Sequence, residues 1–221
     1  PNKLKENVIY GDNCSTDKSV EIAEKLGLIV IKHKSNLGFG GNLKEMYKYA
    51  INNGADVVVD LHPDYQYEPS LIDLLVAYIE RGHFDVMQGN RIRRRDEAKS
   101  SGMPNFRYLA NRSLSLFENL WFGTNFGEWH TGLKAFHVNV LNELPFENYP
   151  NTHAFATDIL MDCVHYGFSV GEVPIPIRYE ADSSSTSFSQ NIRYAFRVIF
   201  SLVNRPPWKK RKYKSISTRT K

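Results

Sequence analysis

The sequence predicts an α/β domain on a mostly parallel sheet with helices on both faces, followed by an amphipathic helix and a basic tail. Three observations point there. Short β-rich runs alternate with helical patterns through the first half of the chain. Several of those helices carry start and stop signals. The residues just past the strands are polar or charged, and the carboxyl ends of strands are where open α/β sheets bind ligands.

Residues 7–11 (NVIYG) read as a strand. Residues 17–26 have helical spacing with Val20, Ile22, Ala23 and Leu26 inward, Ser15 or Thr16 as cap, Asp17 in the positive first turn and Gly27 as stop. Residues 28–32 (LIVIK) are a strand, and 41–53 a helix closed by Gly54. Residues 55–61 (ADVVVDL) read as a strand of the buried type. Residues 69–81 start on Pro and stop at Gly82, a paired helix signature. Residues 84–89 (FDVMQG) are the next strand. The second half is less regular. A charged loop is expected over 91–103, helices over 105–122, 157–166 and 191–203, strands over 131–137 and 169–178, and a Ser-rich loop over 182–189.

Composition narrows the classes. At 221 residues, 42% hydrophobic and 24% charged, the chain matches a globular average, which excludes disorder and fibrous repeats. Two cysteines, Cys14 and Cys163, make no disulfide framework and suit a reducing compartment. No apolar run reaches the length of a spanning helix. The net charge of +4 is uneven: residues 205–221 hold eight Lys or Arg and no acid, leaving the remainder at about −4. Such a tail suits either an anionic surface or a solvated end.

Four strand ends carry the chemistry. After the first strand comes Asp12-Asn13-Cys14-Ser15-Thr16-Asp17; helix capping accounts for Ser15 to Asp17 but leaves Asp12 over, placed to bond a base or ribose. Asn36-Leu37-Gly38-Phe39-Gly40-Gly41 precedes a helix, and its glycines allow either a tight turn or close backbone approach to a ligand. It is not a P-loop, because no Gly-Lys-Ser/Thr follows. In 62–69 (HPDYQYEP), His62, Asp64 and Gln66 alternate and could ligate one divalent ion, or form a polar turn before the Pro-started helix. Arg91 closes the fourth strand end.

In this order the segments resemble the family 2 glycosyltransferases, inverting enzymes of the GT-A, Rossmann-like fold. The family's Asp-Asp-Gly-Ser-Thr-Asp resembles 12–17, its Asn-x-Gly-x-Gly turn 36–40, and its Asp-x-Asp metal motif 62–69. Its Gly-Ser-Arg resembles Gly89-Asn90-Arg91. Its acidic-x-x-Ser/Thr-Gly-aromatic-basic segment resembles 128–136 (EWHTGLKAF), and its Gly-x-x-x-x-Glu-Val-Pro-Ile strand pair resembles 167–176. The branch most resembled is the polyprenyl-phosphate, dolichyl-phosphate mannose synthase-like one. Three departures stand out. The first metal-motif Asp is His62, the Gly after the paired acids is Cys14, and the family's first strand, which holds the nucleobase, has no counterpart before residue 7. The chain is therefore expected to enter the fold at its second strand, as a fragment or a diverged domain. Its start at Pro1, without an initiator Met, fits that expectation.

The resemblance implies a nucleotide-sugar donor, with Mg²⁺ or Mn²⁺ on Asp64, His62 and Gln66. It implies donor contacts from Asp12, Asn13, Asn36, Gly38, His62, Asp64 and Arg91. Arg93 to Arg95 would either help hold phosphate or form a solvated loop. Asp158, nine residues before Gly167, matches the family's acidic base, and Glu128 is the second acid. His130 is either part of this segment's chemistry or a hydrogen-bonded core histidine. The acceptor implied is a polyprenyl phosphate or a glycan. Residues 105–122 and 191–203 combine apolar faces with Arg neighbours, and Trp208 and the basic tail follow, so peripheral attachment to an anionic membrane is expected, on the cytoplasmic, inner face. The expected layout is a catalytic domain over 1–188 and an amphipathic helix with its tail over 189–221.

Three other classes compete with this reading. A nucleotide-sugar pyrophosphorylase needs a Gly-rich, basic first loop that is missing. Nucleic-acid binding lacks a matching fold motif. A catalytically impaired domain serving as a membrane- or partner-binding module is the remaining alternative.

Overall fold

The computed structural model describes residues 5–62, 66–91, 105–176 and 188–207. These fall into two compact units, one of Pro1–Ala55 with Pro145–Phe155, the other of Asp56–Leu144 with Ala156–Lys221.

The first unit holds β1 (Ile9–Asp12), α1 (Ser19–Lys25), β2 (Ile29–Lys32) and α2 (Gly38–Asn52). β1 and β2 pair in parallel, Ile9 opposite Ile29 and Asp12 opposite Lys32. α1 begins later than its spacing suggests. Asp17, rather than Ser15 or Thr16, supplies the side-chain oxygen, accepting from the Ser19 N–H at 2.9 Å. The expected inward face is also only partly realised: Ala23 is buried, but Ile22 and Leu26 are half exposed. A helix laid on a two-stranded sheet has too little surface beneath it to cover a full apolar stripe.

α2 starts at Gly38 rather than at residue 41, so the glycine-rich turn is the first turn of the helix. Its buried face centres on Tyr47, which meets Phe146 edge-on at 5.6 Å and Phe155 at 5.8 Å. Lys44 is buried with it and donates to the Tyr149 carbonyl at 2.5 Å and Asn151 Oδ1 at 2.7 Å. A buried ammonium is tolerable only with such partners.

The second unit holds β3 (Val57–Asp60), α3 (Ile72–Glu80), β4 (Val86–Asn90), α4 (Asn105–Phe122), β5 (Lys134–His137), α5 (Val138–Glu143), β6 (Val170–Pro174) and α7 (Phe188–Val203). α6 (Phe155–Tyr166) starts on the last residue of the first unit and runs on in the second. The sheet order is β3-β5-β4-β6; β4 and β6 are parallel, and β5 runs against both β3 and β4. Three of its four strands therefore share a direction. β3 is half-buried along its length, not fully buried as its Val-Val-Val run suggests. Among the described residues it bonds to β5 alone.

α3 follows a short 3₁₀ turn, Pro69–Leu71, whose N-cap Glu68 accepts from Ser70, and ends before Gly82 at φ +73°. It buries Leu75 and Ile79 against Met87, Leu133, Ala135, Val173 and Ile175. A second apolar cluster joins Phe122 of α4, Trp129, Leu160 and Met161 of α6, and Val198 and Leu202 of α7. α4 and α7 also pack together, yet each keeps a large apolar face in solvent. α4 exposes Leu109, Leu116, Phe117 and Leu120, the last at 74%. α7 exposes Phe196, Ile199, Phe200 and Val203, with Phe196 at 70%. Among the described residues no helix is long and apolar enough to cross a membrane.

Candidate active site

In the first unit, Asp12 ends β1 almost fully buried, and its Oδ1 accepts from the Ser15 N–H at 3.1 Å. Asn13 Oδ1 accepts from the Leu37 N–H at 2.7 Å, and Asn36 Oδ1 from the Gly38 N–H at 2.8 Å. These side chains fold the two loops around one another. Cys14 sits at φ +67°, a left-handed conformation that a Gly adopts without cost. Gly38 and Gly40 face the chain at 150–151: a Cβ would lie 2.5 Å from the Asn151 carbonyl oxygen at Gly38 and 2.4 Å from that of Pro150 at Gly40. Their missing side chains let two backbone segments meet.

In the second unit, Arg91 leaves β4 and meets Glu128 across a buried fork. Arg91 N and Nε donate to Glu128 at 2.8–3.0 Å, Nη2 adds a further bond to Oε1, and Nη2 also donates to the His130 carbonyl at 3.1 Å. Glu128 is wholly inaccessible. Burial alone pushes its carboxyl upward, but the Arg91 charge and hydrogen bonds, with His130 adding, outweigh it and hold Glu128 below the usual carboxylate range. In this geometry Glu128 aims Arg91. Glu172, which accepts from the Gly127 and Glu128 N–H groups and from Gln88, fixes the strand beneath. Burial pushes Glu172 up, and those hydrogen bonds offset part of the rise.

His130 settles as a hydrogen-bonded interior histidine. Its Nδ1 lies 2.8 Å from the Tyr194 hydroxyl and its Nε2 3.2 Å from Glu118 Oε2. Tyr194 also bonds Thr157, and burial raises its phenol well above the ordinary value. Neither Glu118 nor Tyr194 announced a role from the sequence. The usable signal is a lone acid at position 118 between the apolar positions 114 and 122, which share its helix face.

His62, just past β3, lies over Gly132, where a Cβ would stand 2.5 Å from the ring. It meets Tyr67 edge-on at 5.7 Å, and the Tyr67 hydroxyl accepts from the Gly132 N–H at 2.8 Å. Gln66 is half-buried. Asp64 lies outside the described residues, as do Arg93 to Arg95 and Trp208 with the tail. Among the described residues no three His, Cys, Asp or Glu side chains are grouped to hold a metal. By residue type alone, the imidazole of His62, the carboxylate of Asp64 and the amide of Gln66 are donors that suit Mn²⁺, and the two oxygen donors suit Mg²⁺. Lys134, opposite Asp60 on β5, is buried and donates to the Thr131 carbonyl. Burial lowers it from 10.5 to about 8, against the opposing pull of Asp60 and Glu128.

Asp158 stands in the first turn of α6, buried. Its Oδ1 accepts from Arg205 Nη1 at 3.1 Å, and Arg197 Nη2 lies 3.8 Å from Oδ2. Arg205, counted in the sequence only as part of a basic tail, is a partner to this helix.

The α/β alternation and the mostly parallel β3-β5-β4-β6 sheet fit the GT-A fold. A family model described as glycosyl transferase family 2 matches residues 2–144, and the chain belongs to that family. An uncharacterized protein of Methanocaldococcus jannaschii is 26% identical over 198 residues, covering 90% of this chain and 80% of that one. A polyprenol monophosphomannose synthase of Mycolicibacterium smegmatis is 22% identical over 200 residues, covering 87% and 74%. Among solved structures, glucosyl-3-phosphoglycerate synthase of Mycobacterium tuberculosis superposes with a TM-score of 0.64 at 17% identity, covering 90% of this chain and 68% of that one. That enzyme has been crystallised with Mn²⁺, UDP-glucose and phosphoglyceric acid, and with Mg²⁺ and UDP. None of these comparisons supports the non-catalytic alternative.

Proposed function

We propose that this protein is an inverting hexosyltransferase that moves a sugar from a nucleotide-sugar donor to a polyprenyl phosphate at the inner face of the membrane. The observation that carries the reading is the buried Arg91 fork, a guanidinium fixed by Glu128 and the His130 carbonyl at the end of a central strand. A pre-set guanidinium suits phosphate oxygens of a donor or a lipid phosphate. Asp12, Asn13 and Asn36 receive the nucleoside end of the donor, while Gly38, expected to contact it, is turned to the Asn151 backbone instead. Asp64, with His62 and Gln66, would hold Mn²⁺ or Mg²⁺, which neutralises the leaving diphosphate. Asp158 takes the acceptor proton where there is one to take; a fully ionised phosphate needs no base. The likeness to a polyprenol monophosphomannose synthase supports the acceptor class.

The bared faces of α4 and α7 support attachment to lipid, with the basic residues of 209–221 drawn to anionic headgroups. On this reading residues 1–188 carry the donor and acceptor sites and 189–221 attach, while the buried side of α7 and Arg205 stay with the catalytic part.

The test is nucleoside diphosphate release from a panel of UDP- and GDP-sugars, with Mn²⁺ or Mg²⁺ and undecaprenyl phosphate in anionic vesicles. Metal-dependent release is expected from at least one donor, falling by about 100-fold or more in Asp64→Ala. Release that survives Asp64→Ala unchanged removes the metal assignment, and turnover only with a soluble glycan moves the acceptor to that class. Failure to sediment with anionic vesicles at low and moderate salt removes the membrane role.

A further inference from the structure

α6 carries Asp158 and Asp162 one turn apart, so both carboxylates share a helix face. Two like charges so placed and both buried repel unless a cation is set against them. Arg205, two residues past the end of α7, fills that role. Its Nε donates to Asp162 Oδ1 at 2.6 Å and its Nη2 to Asp162 Oδ2 at 3.1 Å. Its Nη1 donates at 3.1 Å both to Asp158 Oδ1 and to the Ser201 carbonyl. The backbone of Arg205 is held as well, its carbonyl accepting from Trp121 Nε1 of α4 at 3.0 Å. The guanidinium is thus fixed by α4, α6 and α7 together.

The two oxygens of Asp158 are not equivalent. Oδ1 is committed to Arg205, whereas no hydrogen bond reaches Oδ2 from the described residues, and the half-exposed Arg197 stands off it at 3.8 Å.

We propose that Arg205 is a positioning residue for Asp158, holding Oδ1 so that Oδ2 is the oxygen presented to the acceptor. The proposal rests on the assignment of Asp158 as the proton acceptor above. In the step it serves, which needs a singly ionised lipid phosphate or a glycan hydroxyl, the acceptor O–H proton passes to Oδ2 and the acceptor oxygen bonds to the anomeric carbon. The bond from that carbon to the donor's β-phosphate oxygen breaks, its electron pair leaving on the nucleoside diphosphate. The planar fork matters because it spans both carboxylates; an ammonium is a single point and cannot.

The test compares Arg205→Gln, Arg205→Lys, Asp158→Asn and the double variant Arg205→Gln/Asp158→Asn. It reads kcat and donor KM on the UDP- or GDP-sugar that turns over, with melting temperatures alongside. Arg205→Gln is expected to lower kcat about tenfold with donor KM held within about twofold, and to add nothing in the Asp158→Asn background. Arg205→Lys should recover only part of the loss. The same fractional loss in both backgrounds, or a KM change with kcat intact, overturns the proposal. A fall in kcat with Asp158→Asn but none with Arg205→Gln overturns this proposal alone; an unchanged kcat in Asp158→Asn overturns the base assignment with it. The melts decide independently of turnover: the double variant should lose less than the sum of the single shifts, and additive shifts overturn the contact itself. Should Arg205→Gln fail to fold, Asp162→Asn frees part of the fork while leaving Asp158 its partner, and should reproduce a smaller kcat loss at unchanged KM; full kcat there overturns the proposal.

Discussion

Arg91→Met offers the sharpest test of the site's interior. The substitution keeps volume but removes the guanidinium, leaving Glu128 buried at 0% exposure without the partner that holds it. Stranding one member of a buried pair costs about 3–5 kcal/mol, whereas losing an exposed pair costs about 1 kcal/mol or less. For a chain of this length that is a fall in melting temperature of roughly 10 °C. The double change Arg91→Met with Glu128→Leu removes both charges and should recover most of the loss, because burying neither ion is close to neutral. The assay is urea unfolding followed by fluorescence, with the buried Trp129 as reporter. The sign with pH is also fixed. Glu128 is lowered from 4.5 in the fold, so its contribution is complete above that value and fades as pH falls through its native one. The gap between wild type and Arg91→Met should therefore narrow in acid. A single-variant loss under about 1 kcal/mol, or a double variant no better than the single, would refute the reasoning.

Three other outcomes follow from positions described above. Cys14→Gly relieves a left-handed backbone at φ +67° and should stabilise by about 0.5–1 kcal/mol, read as a higher urea midpoint; a lower midpoint contradicts it. Gly132→Ala drives a methyl group into the His62 ring, which would lie 2.5 Å away, and should weaken Mn²⁺ activation of turnover; an unchanged Mn²⁺ dependence removes His62 from the metal set. Lys134 is lowered from 10.5 to about 8, so the unfolded chain holds its proton across that window and stability attributable to Lys134 rises with pH there. Lys134→Met should flatten that rise in a series of melts between those two pH values, and an equal slope in both proteins argues against the shift.

How much of this was legible depended on the range of the interaction. The α/β alternation, the Pro69 start and the Gly82 stop are local signals, and the structure keeps them. The family showed through motif order for the same reason, since each motif is a short strand end. The inward face of α1 was misread because Ile22 and Leu26 obey helical spacing, yet burial depends on how wide a sheet lies below. The glycines at 38–41 read as either a tight turn or room for a ligand. What their missing side chains admit here is the backbone of Pro150 and Asn151, and no local window contains that partner. Asp158 was named from its motif, but its helix neighbour Asp162 and Arg205, which answers both, were not, because Arg205 sits 43 residues beyond Asp162.

The ammonium of Lys44 bonds to groups 105 and 107 residues later in the chain, and the glycines beside it wait for the same stretch. During synthesis α2 therefore leaves the ribosome with an unmatched cation and a bare, side-chain-free flank. Neither is covered until translation has passed Phe155. The first unit to be made is thus among the last to be finished, and a polypeptide cut short before that point carries an unsealed N-terminal half for quality control to meet.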